Sequence, residues 1–226
     1  MANSLLKLLL ISLCLWLIHG AWQEGYADVT SSALQQYHKR WNQGELADRK
    51  NSRLATDLAT TLLRLAPNNP YYLNLIAKNH EWLAYFAQSS TLTPPVQQAK
   101  PHIQQATQLY RDAIKRRPTW AETHRHLAKL GWRQAQPTEQ IYASLVQANR
   151  WAPFDPENQK LFLNFGLAHW QQLLPQQRAD VAKQLFTAPA RLPKYQFEQI
   201  IQQHHNLSCL LLNSASIETQ QCRQKQ

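Results

Sequence analysis

The sequence predicts an all-α chain, and three observations lead to this fold class. Leu, Ala and Gln dominate the 226 residues and β-branched residues are sparse, a composition that favours helices. Prolines fall between apolar segments with helical spacing, where each one stops a helix from continuing. The alternation of apolar and polar residues that marks strands does not occur in the sequence. A chain of this length is ample for a hydrophobic core.

One apolar spacing occurs three times, each time ahead of a proline. Apolar residues stand twelve, eight and five positions before Pro67, Pro118 and Pro153, which places them on one face of a helix. The nine residues are Ala55, Ala59, Leu62, Ala106, Tyr110, Ala113, Ile141, Leu145 and Ala148. Pro118 and Pro153 are 35 residues apart, close to the period of about 34 residues in tetratricopeptide helical hairpins. The sequence therefore predicts about three tetratricopeptide-like units, with these residues on their second helices.

The positions of the prolines also predict the other helices of the repeats. A helix that includes residues 33–41 is expected to precede a break at 42–44, and a long helix then reaches Ala66. The first helices of the following units are expected at 71–86, 120–133 and 157–174. Because Pro67 and Pro118 are 51 residues apart, we expect an insertion of about 17 residues beyond one repeat. We place this insertion in the polar, proline-broken stretch 88–101.

The chain after Pro175 is predicted to cap the open end of the repeat stack. A shorter helix at 176–186 is followed by a turn that contains Pro189 and Pro193, and then by a last helix at 195–212. Repeat arrays need such a cap because each unit buries only the face that its neighbour covers.

The N-terminal residues 1–27 are predicted to direct the chain out of the cytoplasm. Their apolar stretch at 8–18 is about half the length needed to cross a bilayer, which is typical of the central region of a signal peptide. Cleavage after Ala27 would release the chain, whereas an uncleaved segment would remain as a membrane anchor. We therefore expect a periplasmic protein, released or anchored in the inner membrane, with a repeat domain at 28–213 and a polar tail at 214–226.

The chain is strongly basic. It has 24 Lys and Arg against 14 Asp and Glu, a formal net charge of +10. Such an excess favours polyanionic partners such as nucleic acid, anionic lipid or acidic glycan; because the charges are dispersed, an ordinary soluble basic surface is the alternative. No nucleic-acid-binding motif accompanies the charge, and the predicted export argues against nucleic acid as a partner. The five glycines are too far apart for a phosphate-binding loop.

Cys209 and Cys222 are the two cysteines outside the leader. An even number of cysteines in an exported chain favours a disulfide. A continuous helix would hold the two residues about 20 Å apart, so a bridge requires a turn, which residues 213–216 could form. We predict a disulfide between Cys209 and Cys222; two free thiols are the alternative.

No catalytic or metal-binding constellation stands out in the sequence. His80 and Glu81 begin like an HExxH zinc motif, but Ala84 stands at the position of the second histidine. His124 and His126 are two residues apart and so lie on different faces of a helix. We therefore predict no catalytic residue, no metal and no cofactor, and a protein that is not an enzyme. A glycan-acting pair of carboxylates that meets only in the folded chain is the alternative.

Corresponding positions on the predicted first helices indicate a basic binding groove. In helical-hairpin repeats the first helices line the concave side, and the aligned inner-face residues are Asn74, Lys78, Arg125, Lys129, Lys160 and Asn164. All six can donate hydrogen bonds and four are cationic, so that they suit carboxylates or sulfates. Trp132 lies close to the same face and could stack on a sugar ring, although a tryptophan more often packs in a core. The alternative for the set is an ordinary solvated helix face.

Four longer motifs follow the apolar leader. They are NNPYYLNLIAKNHEW, YRDAIKRRPTWAETHRHLAKLGW, LVQANRWAPFDPENQ and FGLAHW. In this order they resemble the VpsP family of bacterial polysaccharide biosynthesis proteins, over residues 33–209. The resemblance implies an accessory role in exopolysaccharide assembly or export, and it supplies no catalytic residues. Together with the basic groove it points to polysaccharide biosynthesis or export proteins, or an acidic polysaccharide, as partners; the other interpretation is a periplasmic adaptor of a secretion or pilus complex.

Overall fold

The computed structural model describes residues 2–45, 48–89, 95–217 and 222, and the regular elements of these residues are ten α-helices and two 3₁₀-helices. The prediction of an all-α chain is confirmed. In chain order, the α-helices are α1 (Ala2–Asn42), α2 (Arg49–Leu65), α3 (Pro70–Ser89), α4 (Pro95–Arg116), α5 (Ala121–Arg133), α6 (Thr138–Trp151), α7 (Pro156–Ala168), α8 (Pro175–Thr187), α9 (Lys194–Gln203) and α10 (His205–Ser214). The 3₁₀-helices span Trp170–Gln172 and Ala188–Ala190.

The chain divides into two compact units, Met1–Arg117 and Pro118–Gln226. The N-terminal unit contains α1 to α4, and the C-terminal unit contains α5 to α10. Each unit has its own cluster of buried apolar side chains. The single repeat domain at 28–213 stays a prediction.

The nine apolar residues that precede the three prolines are all buried. Each exposes at most 3% of its surface, and they lie on α2, α4 and α6. Five of the nine are alanines, whose small side chains allow a neighbouring helix to approach closely. Within the units, α3 packs against α4 and α5 packs against α6. The prediction that these residues form core faces is confirmed, whereas the number of repeats stays a prediction.

In the N-terminal unit, an aromatic cluster joins α1 to α3. The ring centroid of Trp41 lies 5.8 Å from that of Trp82 and 5.1 Å from that of Phe86. Helix α2, which follows α1 in the chain, begins after the capping residue Asp48, whose side chain accepts a hydrogen bond of 2.6 Å from the backbone N–H of Asn51.

Helix α1 runs without a break from Ala2 to Asn42, so the predicted leader and the first helix of the body are one helix. Its large apolar side chains between Leu9 and Trp22 are exposed, and the first buried residue that follows them is Ala27. Among the residues described, no helix combines the length and the apolar character that crossing a membrane requires. The assignment of residues 1–27 as a signal peptide or anchor stays a prediction.

In the C-terminal unit, α7 is central and contacts α5, α6, α8 and α9. Its side chains Leu163 and Phe165 are completely buried. Gly166, also on α7, faces Val181 of α8: an added Cβ atom would clash with Cγ2 of Val181 and would lie 2.9 Å from its Cγ1. The absence of a side chain at Gly166 therefore lets α7 and α8 pack closely.

Two predicted helix boundaries in this unit are wrong. Helix α7 ends at Ala168 and does not continue to 174. Leu174 precedes Pro175 and is extended, with φ −65° and ψ 155°, because a proline disfavours the helical conformation of the residue before it. The last helix is divided into α9 and α10 at His204, whose φ of −121° and ψ of 36° are not helical.

The prediction for the proline-broken stretch at 88–101 is also corrected. Helix α3 extends to Ser89, and α4 already begins at Pro95 and runs through Pro101. Pro101 is exposed and is the seventh residue of α4, beyond the first turn. The helix continues through it without the backbone hydrogen bond that a proline cannot donate. The remainder of the predicted insertion, 90–94, lies outside the described residues.

Candidate binding site

Helices α5 and α7 line a cleft of about 260 Å³ in the C-terminal unit. Four of the predicted groove residues lie in its lining: Arg125, Lys129, Lys160 and Asn164. The lining is completed by His126, Glu157 and Leu161. We call these seven residues the basic cleft. It contains three cationic side chains of Lys or Arg and one carboxylate, so its net charge is positive.

Arg125 ties the two helices of the basic cleft together. Its Nη1 donates to Oδ2 of Asp155 and, at 3.0 Å, to Oδ1 of Asn158. Both partners lie at the start of α7, where Asp155 is the N-cap residue and also accepts from the backbone N–H of Glu157. Charge-assisted hydrogen bonds are stronger than neutral ones. The sequence predicted Arg125 as a ligand-binding cation, and the structure gives its guanidinium a protein partner as well.

The other polar groups of the basic cleft are arranged around this link. Lys129 is exposed, Lys160 is half-buried, and both lie on the lining of the cleft. His126 Nε2 lies 3.5 Å from Oε1 of Glu122 on the same helix. The Oδ1 atom of Asn164 is buried and has no hydrogen-bond partner among the described residues. The arrangement can therefore hold an anionic group through its lysines.

The two predicted groove residues of the N-terminal unit lie on α3. Asn74 is buried, with 9% of its surface exposed, and Lys78 is half-buried. The positive charge of Lys78 acts on His38, whose imidazole lies nearby on α1. Neither residue belongs to the basic cleft as we have defined it, and the six-residue groove stays a prediction.

Trp132 packs against the core of the C-terminal unit. Its ring meets Phe165 edge-on at a centroid distance of 5.4 Å and His169 at 5.8 Å. The side chain is half-buried beside the buried residues of that core. These contacts agree with the packing role that was the alternative for this tryptophan; stacking on a sugar ring stays a prediction.

Three residues of the basic cleft were missed by the sequence analysis: His126, Glu157 and Leu161. A signal for two of them exists in the sequence. Glu157, Lys160, Leu161 and Asn164 follow one another at i, i+3, i+4 and i+7, the spacing of one helix face. The lining side chains of α7 could therefore have been found by extending the face that Lys160 and Asn164 define.

Three histidines lie at helix contacts in the N-terminal unit. The Nδ1 atoms of His80 on α3 and His102 on α4 are 3.2 Å apart, so one imidazole donates and the other accepts. Burial, and then the nearby His102, lower the pKa of His80 to about 4, and burial lowers the pKa of His102 as well. On α1, burial lowers the pKa of His38 to about 4, and its Nε2 lies 3.4 Å from Oδ1 of Asn79. The rings of His38 and His80 are therefore neutral at pH 7.

No three His, Cys, Asp or Glu side chains of the described part of the chain are placed to hold a metal ion together. The predictions that the protein has no catalytic residue, no metal and no cofactor, and is not an enzyme, stay predictions.

Cys209 and Cys222 are bonded to each other in the structure, with their Cα atoms 5.5 Å apart. Cys209 lies on α10, and the turn that returns the chain toward it begins at Ala215, directly after that helix. The position of this turn agrees with the segment 213–216 in which we expected the chain to reverse.

No protein-family model matches the sequence, and no curated protein is similar to it. Among solved structures, the chain is similar to one described as the functional characterization of Pseudomonas aeruginosa PilF. The sequence identity is 16%, the match covers 86% of this chain and 79% of that chain, and the TM-score is 0.49. A likeness of this size carries no argument about function, which must come from the residues of the chain itself.

Proposed function

We propose that this protein is a non-enzymatic accessory factor of exopolysaccharide assembly or export and that it acts by binding. Its partner is a polysaccharide biosynthesis or export protein, or an acidic polysaccharide, held in the basic cleft. A periplasmic location, with residues 1–27 as a signal peptide or an inner-membrane anchor, belongs to the same proposal. The resemblance of four sequence motifs to the VpsP family supports the pathway, and the exposed apolar side chains of α1 support the location.

The basic cleft is the observation that carries the proposal. Lys129 and Lys160 come from two helices that the hydrogen bonds of Arg125 hold together. Because the link exists before a ligand arrives, little ordering of the helices is required on binding. A carboxylate or sulfate that enters the cleft gains charge-assisted hydrogen bonds from the lysines, and Leu161 offers an apolar contact beside them.

The composition of the cleft favours binding over glycan hydrolysis. Glycoside hydrolysis usually requires two carboxylates that flank the scissile bond. Glu157 is the one carboxylate among the described residues of the cleft lining. The nearest further carboxylate along the chain, Asp155, is engaged by Arg125. The cleft is therefore better suited to hold an acidic group than to break a glycosidic bond.

The proposal is tested by complementation of a strain that lacks this chain. The amount of extracellular polysaccharide is measured with the wild type, with a Lys129→Glu and Lys160→Glu double variant, and with a Lys50→Glu and Lys183→Glu control. The control changes the net charge equally at two exposed lysines outside the cleft. We expect the deletion to lower the polysaccharide, and the wild type and control to restore it. The cleft variant should fail to do so at equal levels of folded protein.

Two other results have distinct meanings. If the deletion leaves the amount of polysaccharide unchanged, the proposed role is refuted, and a general periplasmic adaptor becomes the better interpretation. If the deletion lowers it but the cleft variant complements fully, the role in the pathway stands and the basic cleft is not the site.

A further inference from the structure

The end of α6 and the turn that follows it present two aromatic side chains to solvent, each with an arginine over its ring. Trp151, which is 42% exposed, ends α6, and Phe154, which is 74% exposed, follows in the turn. The guanidinium carbon of Arg150 lies 5.3 Å from the ring centroid of Trp151, and that of Arg191 lies 5.6 Å from the ring centroid of Phe154. We call these four residues the arginine-aromatic patch.

The turn that carries the patch is held from beneath by two buried amide side chains. Asn158 Nδ2 donates to the backbone carbonyls of Ala148 and Ala152, each at 3.3 Å. Gln159 Nε2 donates to the carbonyl of Pro153 at 2.6 Å. Asn158 and Gln159 are only 1% and 2% exposed. The exposed position of Phe154 is therefore a property of a fixed turn, and binding there requires little further ordering of the backbone.

The two guanidinium groups of the patch are available to an anion. Neither Arg150 nor Arg191 donates a side-chain hydrogen bond to another described residue. A guanidinium that lies over an aromatic ring keeps its N–H edge open for two parallel hydrogen bonds to a carboxylate or sulfate. The carboxylate that follows Phe154 in the chain, Asp155, is bound to Arg125 and does not neutralise the patch.

We infer that the arginine-aromatic patch is a second contact surface for an acidic polysaccharide, an inference that rests on the proposed function. A uronic acid or sulfated sugar offers an anionic group beside the apolar C–H face of its ring, which matches an arginine edge beside an aromatic face. A lipid surface fits less well, because even a myristoyl chain binds membranes only marginally and Phe154 with part of Trp151 offers less apolar area. Single-stranded nucleic acid could use the same groups, but the predicted export separates the chain from it.

The test measures binding of the purified full chain to polymannuronate, an acidic polysaccharide, with uncharged dextran as a control ligand. The patch variants are Phe154→Ala and Arg191→Gln, and the matched controls are Leu210→Ala, an exposed apolar side chain, and Lys183→Gln, an exposed cation. We expect Arg191→Gln to weaken binding roughly tenfold, the effect of losing one charge-assisted hydrogen bond. Phe154→Ala should weaken it by a similar factor, and the two controls should bind like the wild type.

The outcomes separate this inference from the proposed function. If both patch variants bind polymannuronate like the wild type while Lys129→Glu with Lys160→Glu loses binding, the patch is refuted and the basic cleft remains. If the patch variants lose binding and the cleft variant does not, the patch stands and the cleft is refuted as the glycan site. Wild-type protein that binds no polymannuronate overturns the inference. Binding to vesicles that contain phosphatidylglycerol and to single-stranded DNA is measured as well. If the patch variants lose only that binding and still bind polymannuronate like the wild type, the inference is also overturned.

Discussion

Replacement of Gly166 by alanine is expected to destabilise the C-terminal unit although alanine is the better helix former. A Cβ at this position would clash with Cγ2 of Val181 and would lie 2.9 Å from its Cγ1 and 3.3 Å from its Cβ, closer than the usual carbon contact of about 3.5 to 4.0 Å. Val181 is completely buried, and a β-branched side chain has few alternative rotamers. Helices α7 and α8 must therefore move apart, or the core around Val181 must rearrange.

The expected magnitude follows from two opposing effects. Overpacking of a core costs about 1 to 3 kcal/mol, whereas Gly to Ala in a helix interior contributes about 1 kcal/mol of stability. Because the contact is with three atoms of a buried valine, we expect a net loss of about 1 to 2 kcal/mol in the free energy of unfolding. The thermal midpoint should fall by about 5 to 10 °C. Urea unfolding of the full chain, followed by tryptophan fluorescence, measures this loss.

Gly131→Ala is the matched control in the same unit. Gly131 is also buried in a helix, but the closest atom to an added Cβ is Oε1 of Gln136, the end of a flexible side chain. We expect this variant to stay within about 1 kcal/mol of the wild type. A double-mutant cycle with Val181→Ala should make Gly166→Ala less costly, because the blocking methyl groups are gone. If Gly166→Ala behaves like Gly131→Ala, the close packing of α7 on α8 is wrong.

Three further predictions concern stability. Because the pKa of His38 and of His80 is about 4 in the folded chain and about 6.5 unfolded, their contribution to stability is present above pH 6.5. This contribution falls as the pH is lowered toward 4. Urea unfolding should therefore show a lower free energy of unfolding for the N-terminal unit at pH 4.5 than at pH 7. The difference between the two pH values should be smaller in the His80→Gln variant. Reduction of the Cys209 disulfide, which closes a loop over a sequence separation of 13, should cost about 3 kcal/mol, and Cys222→Ser should unfold at the same urea concentration with or without reductant. Arg125→Met should lower the free energy of unfolding by about 1 to 3 kcal/mol, because a half-buried carboxylate loses its partner, whereas Lys183→Met, at an exposed position, should cost less than about 0.5 kcal/mol.

Each of these three has a contradicting result. Equal stability of the N-terminal unit at pH 7 and pH 4.5 would show that the histidines are not held neutral by burial. An unchanged midpoint after complete reduction would show that the disulfide does not constrain the unfolded chain. An Arg125→Met variant as stable as Lys183→Met would show that the link between α5 and α7 contributes nothing in solution.

The core faces could be predicted from the sequence because two local signals coincide. In α2, α4 and α6 the apolar spacing and a following proline act within one short segment, and packing then agrees with both. The break at His204 carries no such signal, since neither glycine nor proline is nearby and the adjoining residues suit a helix. Pro101 misled in the opposite sense, because its local rule predicts a break whereas α4 continues through it and packs along α3.

The site shows the same division between local and distant information. Lys160 and Asn164 are four residues apart, and the helical period alone places them on one face. The bond from Arg125 to Asp155 joins residues separated by 30 positions, and their meeting depends on how α5 packs beside α7. Pairing of the two histidines His80 and His102 likewise required the contact between α3 and α4, which neither helix encodes by itself.

The continuity of α1 sets the order of events if the leader is removed after Ala27. That residue is buried and helical, and proteolysis favours exposed, irregular segments, so a processing enzyme would have to cut before this helix folds. The cut would leave Asp28 as the first residue, and a carboxylate at the N-terminus of a helix is stabilised by the helix dipole. Its side chain already accepts a hydrogen bond from the hydroxyl of Tyr72, so the new terminus would be tied to α3 from the start.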